Sequence, residues 1–169
     1  MWAAQHLKIK EARSWLTSGG MGTMGFGLPA ALGAQIACPQ KRTIVICGDG
    51  GFKMTGMELY TIYNSNTPVI CVILDNHSLG MVRQLQYVFY EQRYSSIDLP
   101  RFDFVGFAGI CGIRSQKAKT PAEFAAAFSR ALCHQGPSVI VVEIAPDTMV
   151  DPMVQPGQAI DQFVNFSIN

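Results

Sequence analysis

Three runs of continuous apolar residues dominate the chain: TIVICGD (43–49), PVICVILD (68–75) and SVIVVEI (138–144). They do not alternate with polar residues, so they predict strands of a parallel sheet buried on both faces. Apolar residues at helical spacing lie between them. Residues 55–65 predict a helix through Met57, Leu59, Ile62 and Tyr63, and 80–93 predict another. Residues 102–111 predict a third, with Phe104, Val105, Phe107 and Ala108 inward. Thr120, Pro121 and Glu123 form a helix-start signal for a fourth, running to about His134. A small-residue helix, LPAALGAQIA, starts at Leu28 with Pro29 in its first turn and stops at Pro39. Residues 113–116 predict a short strand. Residues 2–12 predict a helix with Trp2, Ala3 and Leu7 on one face, and SWLTS (14–18) a further short strand. The order of strands and helices predicts an α/β fold, a three-layer α/β/α parallel sheet. It is expected to form a single domain over 1–169, ending in an ordered arm from about residue 147.

In open α/β sheets ligands bind at the carboxyl ends of the strands. Two of the strong strands end in polar clusters, Gly48-Asp49-Gly50-Gly51 and Asp75-Asn76-His77-Ser78. Asp49 and Asn76 are 27 residues apart, which suits one helical crossover between neighbouring strands. A carboxylate and an amide oxygen at adjacent strand ends suit Mg²⁺, which also takes phosphate oxygens. The flanking glycines open backbone N–H groups to an anion. Together they point to a magnesium-diphosphate site. Either cluster alone reads as a turn; the pairing carries the signal. GGMGTMGFG (19–27) adds a loop with five glycines in nine residues, which lets backbone approach a ligand closely.

Charged residues make up only 15% of the chain, against roughly 25% in an average soluble protein. A surface so short of charge predicts a face covered by another domain or chain. The net charge of +1 gives no footprint for nucleic acid or an anionic membrane. The composition is too apolar for disorder. No apolar run approaches the roughly 20 residues that span a bilayer. Five scattered cysteines without a CxxC pair predict reduced, buried thiols, and with them a cytoplasmic or organelle-matrix setting. Neither GxxxxGK[ST] nor a strand-linked GxGxxG is present, against a nucleotide-binding reading.

GDGGF followed by ILDN resembles the thiamin-diphosphate signature. GGMGTMGFGLPAALGA, LGMVRQLQYVFYEQRYS and VDPMVQPGQAIDQF further resemble the large catalytic subunits of acetolactate synthases, and the resemblance runs from Met1 to about Phe163. It implies a thiamin diphosphate-binding fold: the last third of such an enzyme, starting just inside the diphosphate-binding domain without its first strand. The pyrimidine-binding and FAD-holding domains would lie outside the chain. The resemblance also implies decarboxylation of pyruvate and its condensation with a second 2-oxo acid, in branched-chain amino acid biosynthesis. FAD, a homo-oligomer and a regulatory small subunit come with it.

By the same resemblance, Asp49, the Asn76 side chain and the Ser78 carbonyl would hold Mg²⁺, with Gly48, Gly50, Gly51 and Gly80 around the diphosphate. Gly22 and Met24 would meet the aminopyrimidine, Met24 propping the cofactor in a bent form, and Met81 and Leu85 would line the substrate cavity. No catalytic residue is expected in this chain, because the activating Glu sits on the pyrimidine-binding domain. The chain alone is expected to be inactive. The pattern is departed from twice. Asp75 replaces the first Asn of LNN, a position that is not a metal ligand, and Leu85 stands where many members have Trp. Glyoxylate carboligases and other enzymes of the cofactor class share the metal motif. They remain alternatives, as does a binding module without catalysis of its own. His77 reads as a loop residue, and Arg83 as facing either substrate carboxylate or a salt link.

Overall fold

The computed structural model describes residues 1–155 and 157–164. Four strands form one parallel sheet: β1 (Ile44–Gly48), β2 (Ile70–Asp75), β3 (Arg114–Ala118) and β4 (Ser138–Glu143), in the order β1-β2-β4-β3. The central pair is the most deeply buried, and its register aligns Ile70 with Ser138 and Asp75 with Glu143. Alternating side chains of β2 feed two cores. Val69, Cys71 and Ile73 join Leu28, Phe52, Leu59, Phe104 and Ala108 on one face. Ile70 and Val72 meet Ala127 and Ala131 on the other. The first core is covered by α2 (Gly27–Ala37), α3 (Asp49–Thr55), α4 (Glu58–Asn64) and α6 (Phe104–Ile110), the second by α7 (Pro121–Cys133). This is the expected three-layer arrangement.

The first strand is apolar but not buried on both sides as its composition predicts. It lies at the sheet edge, and Ile44 and Ile46 are 42% and 38% exposed while Val45 is buried. Helix starts follow their capping chemistry. The Thr120 hydroxyl accepts the Glu123 N–H at 3.2 Å, and the Glu123 carboxylate accepts the Lys119 N–H at 2.7 Å. Asp103 caps α6 by accepting the Gly106 N–H at 3.0 Å.

Several boundaries differ from the sequence expectation. The N-terminal helix α1 covers Trp2–His6 only, and residues 14–18 form no strand, having no ladder partner. The expected helix over 55–65 is two helices, α3 and α4, and α3 begins six residues earlier at Asp49. The helix after Asn76, α5 (Gly80–Phe89), stops short of residue 93 because Glu91 and Gln92 adopt positive φ. Of the five free cysteines, Cys71 and Cys111 are buried and Cys47 half-buried, whereas Cys38 and Cys133 are exposed, against the expectation of buried thiols. Hydrogen bonding with Cys47 and burial push the Cys71 thiol well above its ordinary range. Beyond Asp147, two short antiparallel strands, β5 (Met153–Val154) and β6 (Phe163–Val164), give the arm local order. Pro156 and residues 165–169 lie outside the described residues. No helix among the described residues is long and apolar enough to cross a membrane.

Candidate functional site

The carboxyl ends of β1 and β2 open into a cavity of about 460 Å³. Its floor follows from a direct strand-to-helix transition. Gly48 is the last residue of β1 and the N-cap of α3, so Asp49 is the first helical residue. Gly50 and Gly51 follow in the first turn, where backbone N–H groups have no partner one turn back. A Cβ on Gly50 would stand 3.0 Å from Leu79, 3.2 Å from Leu99 and 3.2 Å from the terminal methyl of Met24. A side chain there would crowd three neighbours, so the glycine keeps the backbone bare. Met24 comes from the glycine loop, whose shape is set by positive φ at Gly22 (62°) and Gly25 (86°). The Gly22 N–H donates to the Ser18 carbonyl at 2.6 Å and the Thr23 N–H to the Ser18 hydroxyl at 3.1 Å, tying the loop to itself. A main-chain bond from Gly22 to a ligand is therefore left to its carbonyl.

Asp49 is only 1% exposed, and its Oδ2 has no hydrogen-bond partner. Burial pushes its carboxyl above the usual range, the Gly50 amide pulls it back down and the neighbouring Asp75 raises it again. A buried carboxylate oxygen without a donor is costly unless something positive meets it. At the end of the neighbouring strand, Asn76 Oδ1 accepts the Ser78 N–H at 3.1 Å, and Ser78 Oγ donates to the Ile97 carbonyl at 3.2 Å. Leu79 N–H donates to the Ile97 carbonyl and Leu99 N–H to that of His77, both at 2.8 Å, so residues 97–99 strap the loop in place. Gly80 opens α5 with its Cα close against Asn76, where a Cβ would stand 3.0 Å from Nδ2.

Gly22, Met24, Gly48, Asp49, Gly50, Gly51, Asn76, Ser78, Gly80 and Met81 all line this one cavity. Leu85 does not. It is half-buried one turn beyond Met81 on α5, on the same helix face by its spacing. The residues fit a cation and a diphosphate: a buried carboxylate with an unpaired oxygen, an amide oxygen from the next strand end and a bare glycine turn, all lining one cavity. Arg83 turns away from the role of carboxylate anchor, its guanidinium lying 4.5 Å over the Tyr94 ring.

Three features escape sequence reasoning. Ile144, Thr148 and Val150 wall the cavity from the far end of the chain. Gln84 is buried on α5 and holds Val150 by two hydrogen bonds. Asp75 is buried beside Asp49, and His77 Nδ1 lies 3.1 Å from its Oδ1. Only Asp75 had a signal, the acid in place of an amide, and nothing in the local sequence marks the other two.

The profile of the thiamine pyrophosphate enzyme C-terminal TPP binding domain matches residues 1–142. The mitochondrial acetolactate synthase catalytic subunit of Saccharomyces cerevisiae is 42% identical over 166 residues, 98% of this chain and 24% of the yeast protein. The acetolactate synthase isozyme 2 large subunit of Escherichia coli K12 is 43% identical over 158 residues, 93% of this chain and 29% of that protein. Among solved structures, the thiamine diphosphate-dependent 4-hydroxybenzoylformate decarboxylase of Rhodococcus jostii RHA1 aligns with a TM-score of 0.70 and 34% identity. That alignment covers 73% of this chain and 24% of the decarboxylase. The chain thus spans about a quarter of the length of the relatives it matches.

Proposed function

The chain belongs to the family of C-terminal TPP binding domains of thiamine pyrophosphate enzymes, and we propose that it is the diphosphate- and Mg²⁺-holding half of an acetolactate synthase active site. The observation that carries this is the unpartnered Asp49 Oδ2, on a residue that lines one cavity with the Gly50–Gly51 turn and with Asn76 from the next strand end. In this reading the Asp49 carboxylate, the Asn76 side-chain oxygen and the Ser78 carbonyl hold Mg²⁺. Gly50 and Gly51 offer backbone to the diphosphate, with Gly48 and Gly80 leaving it room. Gly22 and Met24 take the pyrimidine side, and the Met24 methyl, packed near Gly50, supports the bend of the cofactor. Met81 and Leu85 border the space for substrate. Thiamin diphosphate supplies the electron sink for decarboxylating a 2-oxo acid. What this chain does is bind, orient and keep water from the reacting end.

The substrates are proposed to be pyruvate and a second 2-oxo acid, in branched-chain amino acid biosynthesis. The carboxylate that activates the pyrimidine, and the FAD-holding segment, belong to parts of the enzyme outside residues 1–169, which form one domain with an arm from about 147. A homo-oligomer brings the two halves of the site together, with a regulatory small subunit as further partner, in the bacterial cytoplasm or an organelle matrix. Exposed Met54, Met57, Ile36 and Ile110 give the domain apolar surface for such contacts.

Calorimetry of thiamin diphosphate with Mg²⁺ tests the site. Binding to the full chain that disappears on Asp49→Ala and weakens on Asn76→Ala is the expected result; undiminished affinity in Asp49→Ala overturns the assignment. Product analysis of the full gene product with pyruvate, glyoxylate and 2-oxobutyrate separates an acetolactate synthase from a carboligase of another substrate class. Residues 1–169 alone are expected to give no acetolactate.

A further inference from the structure

Asp49 faces more than the cavity. Its carboxylate, that of Asp75 and an imidazole nitrogen of His77 lie within 4.8 Å of one another. Asp75 and His77 do not line the cavity, so this group sits to one side of it. Both acids are almost wholly buried, and neither Asp49 Oδ2 nor Asp75 Oδ1 has a hydrogen-bond partner. His77 Nδ1 stands 3.1 Å from Asp75 Oδ1 without the alignment of a hydrogen bond. Burial pushes the Asp49 carboxyl up and outweighs the downward pull of the nearby Lys53 ammonium and the His77 ring. Lys53 Nζ donates to the Pro100 carbonyl at 2.9 Å and rests over the rings of Phe102 and Phe104.

Two buried carboxylates carry two negative charges into a poorly solvated place, and a divalent ion neutralises them. The His77 Nδ1–Asp75 Oδ1 separation of 3.1 Å is that of neighbouring donors around an ion, ~3 Å at bond lengths near 2.1 Å. The group as a whole, within 4.8 Å, has only to draw in slightly toward the ~4.2 Å of opposite donors. The backbone is shaped for it too. His77 has φ of 54°, the left-handed region, and this turn carries its ring back toward the end of the strand it follows. Its side chain is 38% exposed while Nδ1 itself is buried, so the ring spans from solvent to the two acids. An imidazole nitrogen among the donors favours first-row transition metals over Mg²⁺, which prefers all-oxygen shells.

We propose that Asp49, Asp75 and His77 form a second divalent-cation site, sharing the Asp49 carboxylate with the diphosphate cation and selective for a transition-metal ion such as Co²⁺ or Mn²⁺. The proposal rests on the reading given above only in calling this site the second.

The test uses the full chain stripped of metal by chelation and held in saturating Mg²⁺ without thiamin diphosphate. Co²⁺ is titrated by calorimetry, and the paramagnetically shifted imidazole N–H proton is followed by NMR. One Co²⁺ per chain that Mg²⁺ does not displace is expected. His77→Gly, which keeps the left-handed backbone, should remove the shifted proton and weaken Co²⁺ at least tenfold; Asp75→Asn should weaken it similarly. Complete displacement by Mg²⁺, or unchanged Co²⁺ affinity in folded His77→Gly, overturns the site. If Asp75→Asn does not fold, His77→Gly decides alone, since its loop position is tolerant. A parallel titration of thiamin diphosphate separates the two readings. Co²⁺ binding without thiamin diphosphate binding removes the proposed function and leaves this site; the converse does the opposite.

Discussion

Gln84 and Val150, 66 residues apart, hold each other by a reciprocal pair of hydrogen bonds: Gln84 Nε2 donates to the Val150 carbonyl at 2.9 Å and its Oε1 accepts the Val150 N–H at 2.8 Å. Both residues are buried, and both border the cavity. The glutamine thus acts as a strand-like partner for a backbone that has none, fixing the start of the C-terminal arm against α5. Truncating it leaves a buried donor and a buried acceptor unpaired, each costing about 1–3 kcal/mol. Gln84→Ala should therefore raise amide exchange across residues 148–154 well before it lowers global stability. Hydrogen exchange read by mass spectrometry checks this, and arm protection equal to wild type would show that the clamp is not what holds the segment.

Gly50→Ala should separate binding from folding. The new methyl meets only flexible ends of Leu79, Leu99 and Met24, at 3.0–3.2 Å, so the cost to stability should stay near 1 kcal/mol. The same methyl occupies the bare turn proposed to meet the diphosphate, and affinity for thiamin diphosphate in Mg²⁺ should fall at least tenfold. Thermal melts with calorimetry on the same sample give both readings.

Leu85 is proposed to bear on the acceptor. It lies one turn beyond Met81 on the same face of α5, just outside the cavity lining. Leu85→Trp in the full enzyme should shift competition between 2-oxobutyrate and pyruvate toward 2-aceto-2-hydroxybutyrate, by roughly 1–3 kcal/mol of discrimination. An unaltered product ratio would place Leu85 outside the acceptor pocket.

Glu143 gives a pH signature. Hydrogen bonds from Lys117 and Lys119 hold its carboxyl below the ordinary range, with the ammonium groups 3.0 and 3.2 Å away. Its pKa is thus lower folded than unfolded. The stability it adds is present above the unfolded value of about 4.3 and is lost as pH falls through the folded value. Glu143→Gln should be less stable than wild type at neutral pH and equal to it in strong acid, and high salt should shrink the difference. Urea melts across pH check both, and a pH-independent difference would contradict the linkage.

The central sheet was legible because β2 and β4 are apolar on both faces, a pattern that local sequence cannot hide. The proposed cation and diphosphate residues were legible because they follow directly on β1 and β2. What failed was decided at a distance. SWLTS has strand composition and no neighbour to pair with, while Ile44 and Ile46 are apolar yet lie on an edge. The Asp75–His77 contact depends on a left-handed turn at a histidine, and the Gln84 clamp on a partner 66 positions away. Neither has a local periodicity to betray it.

The position of β4 also sets a timetable. It is the last of the four strands in the chain, yet it lies between β2 and β3, which share no ladder with each other. On a ribosome, β3 emerges with nothing to pair with until residues 138–143 follow it. Only a few residues later come Ile144, Thr148 and Val150, the last wall of the cavity. A nascent chain that stops before residue 138 carries the aspartate proposed to hold the cation, and the glycine turn, without the complete cavity wall, and without β4 both β2 and β3 keep an unpaired edge for chaperones to guard.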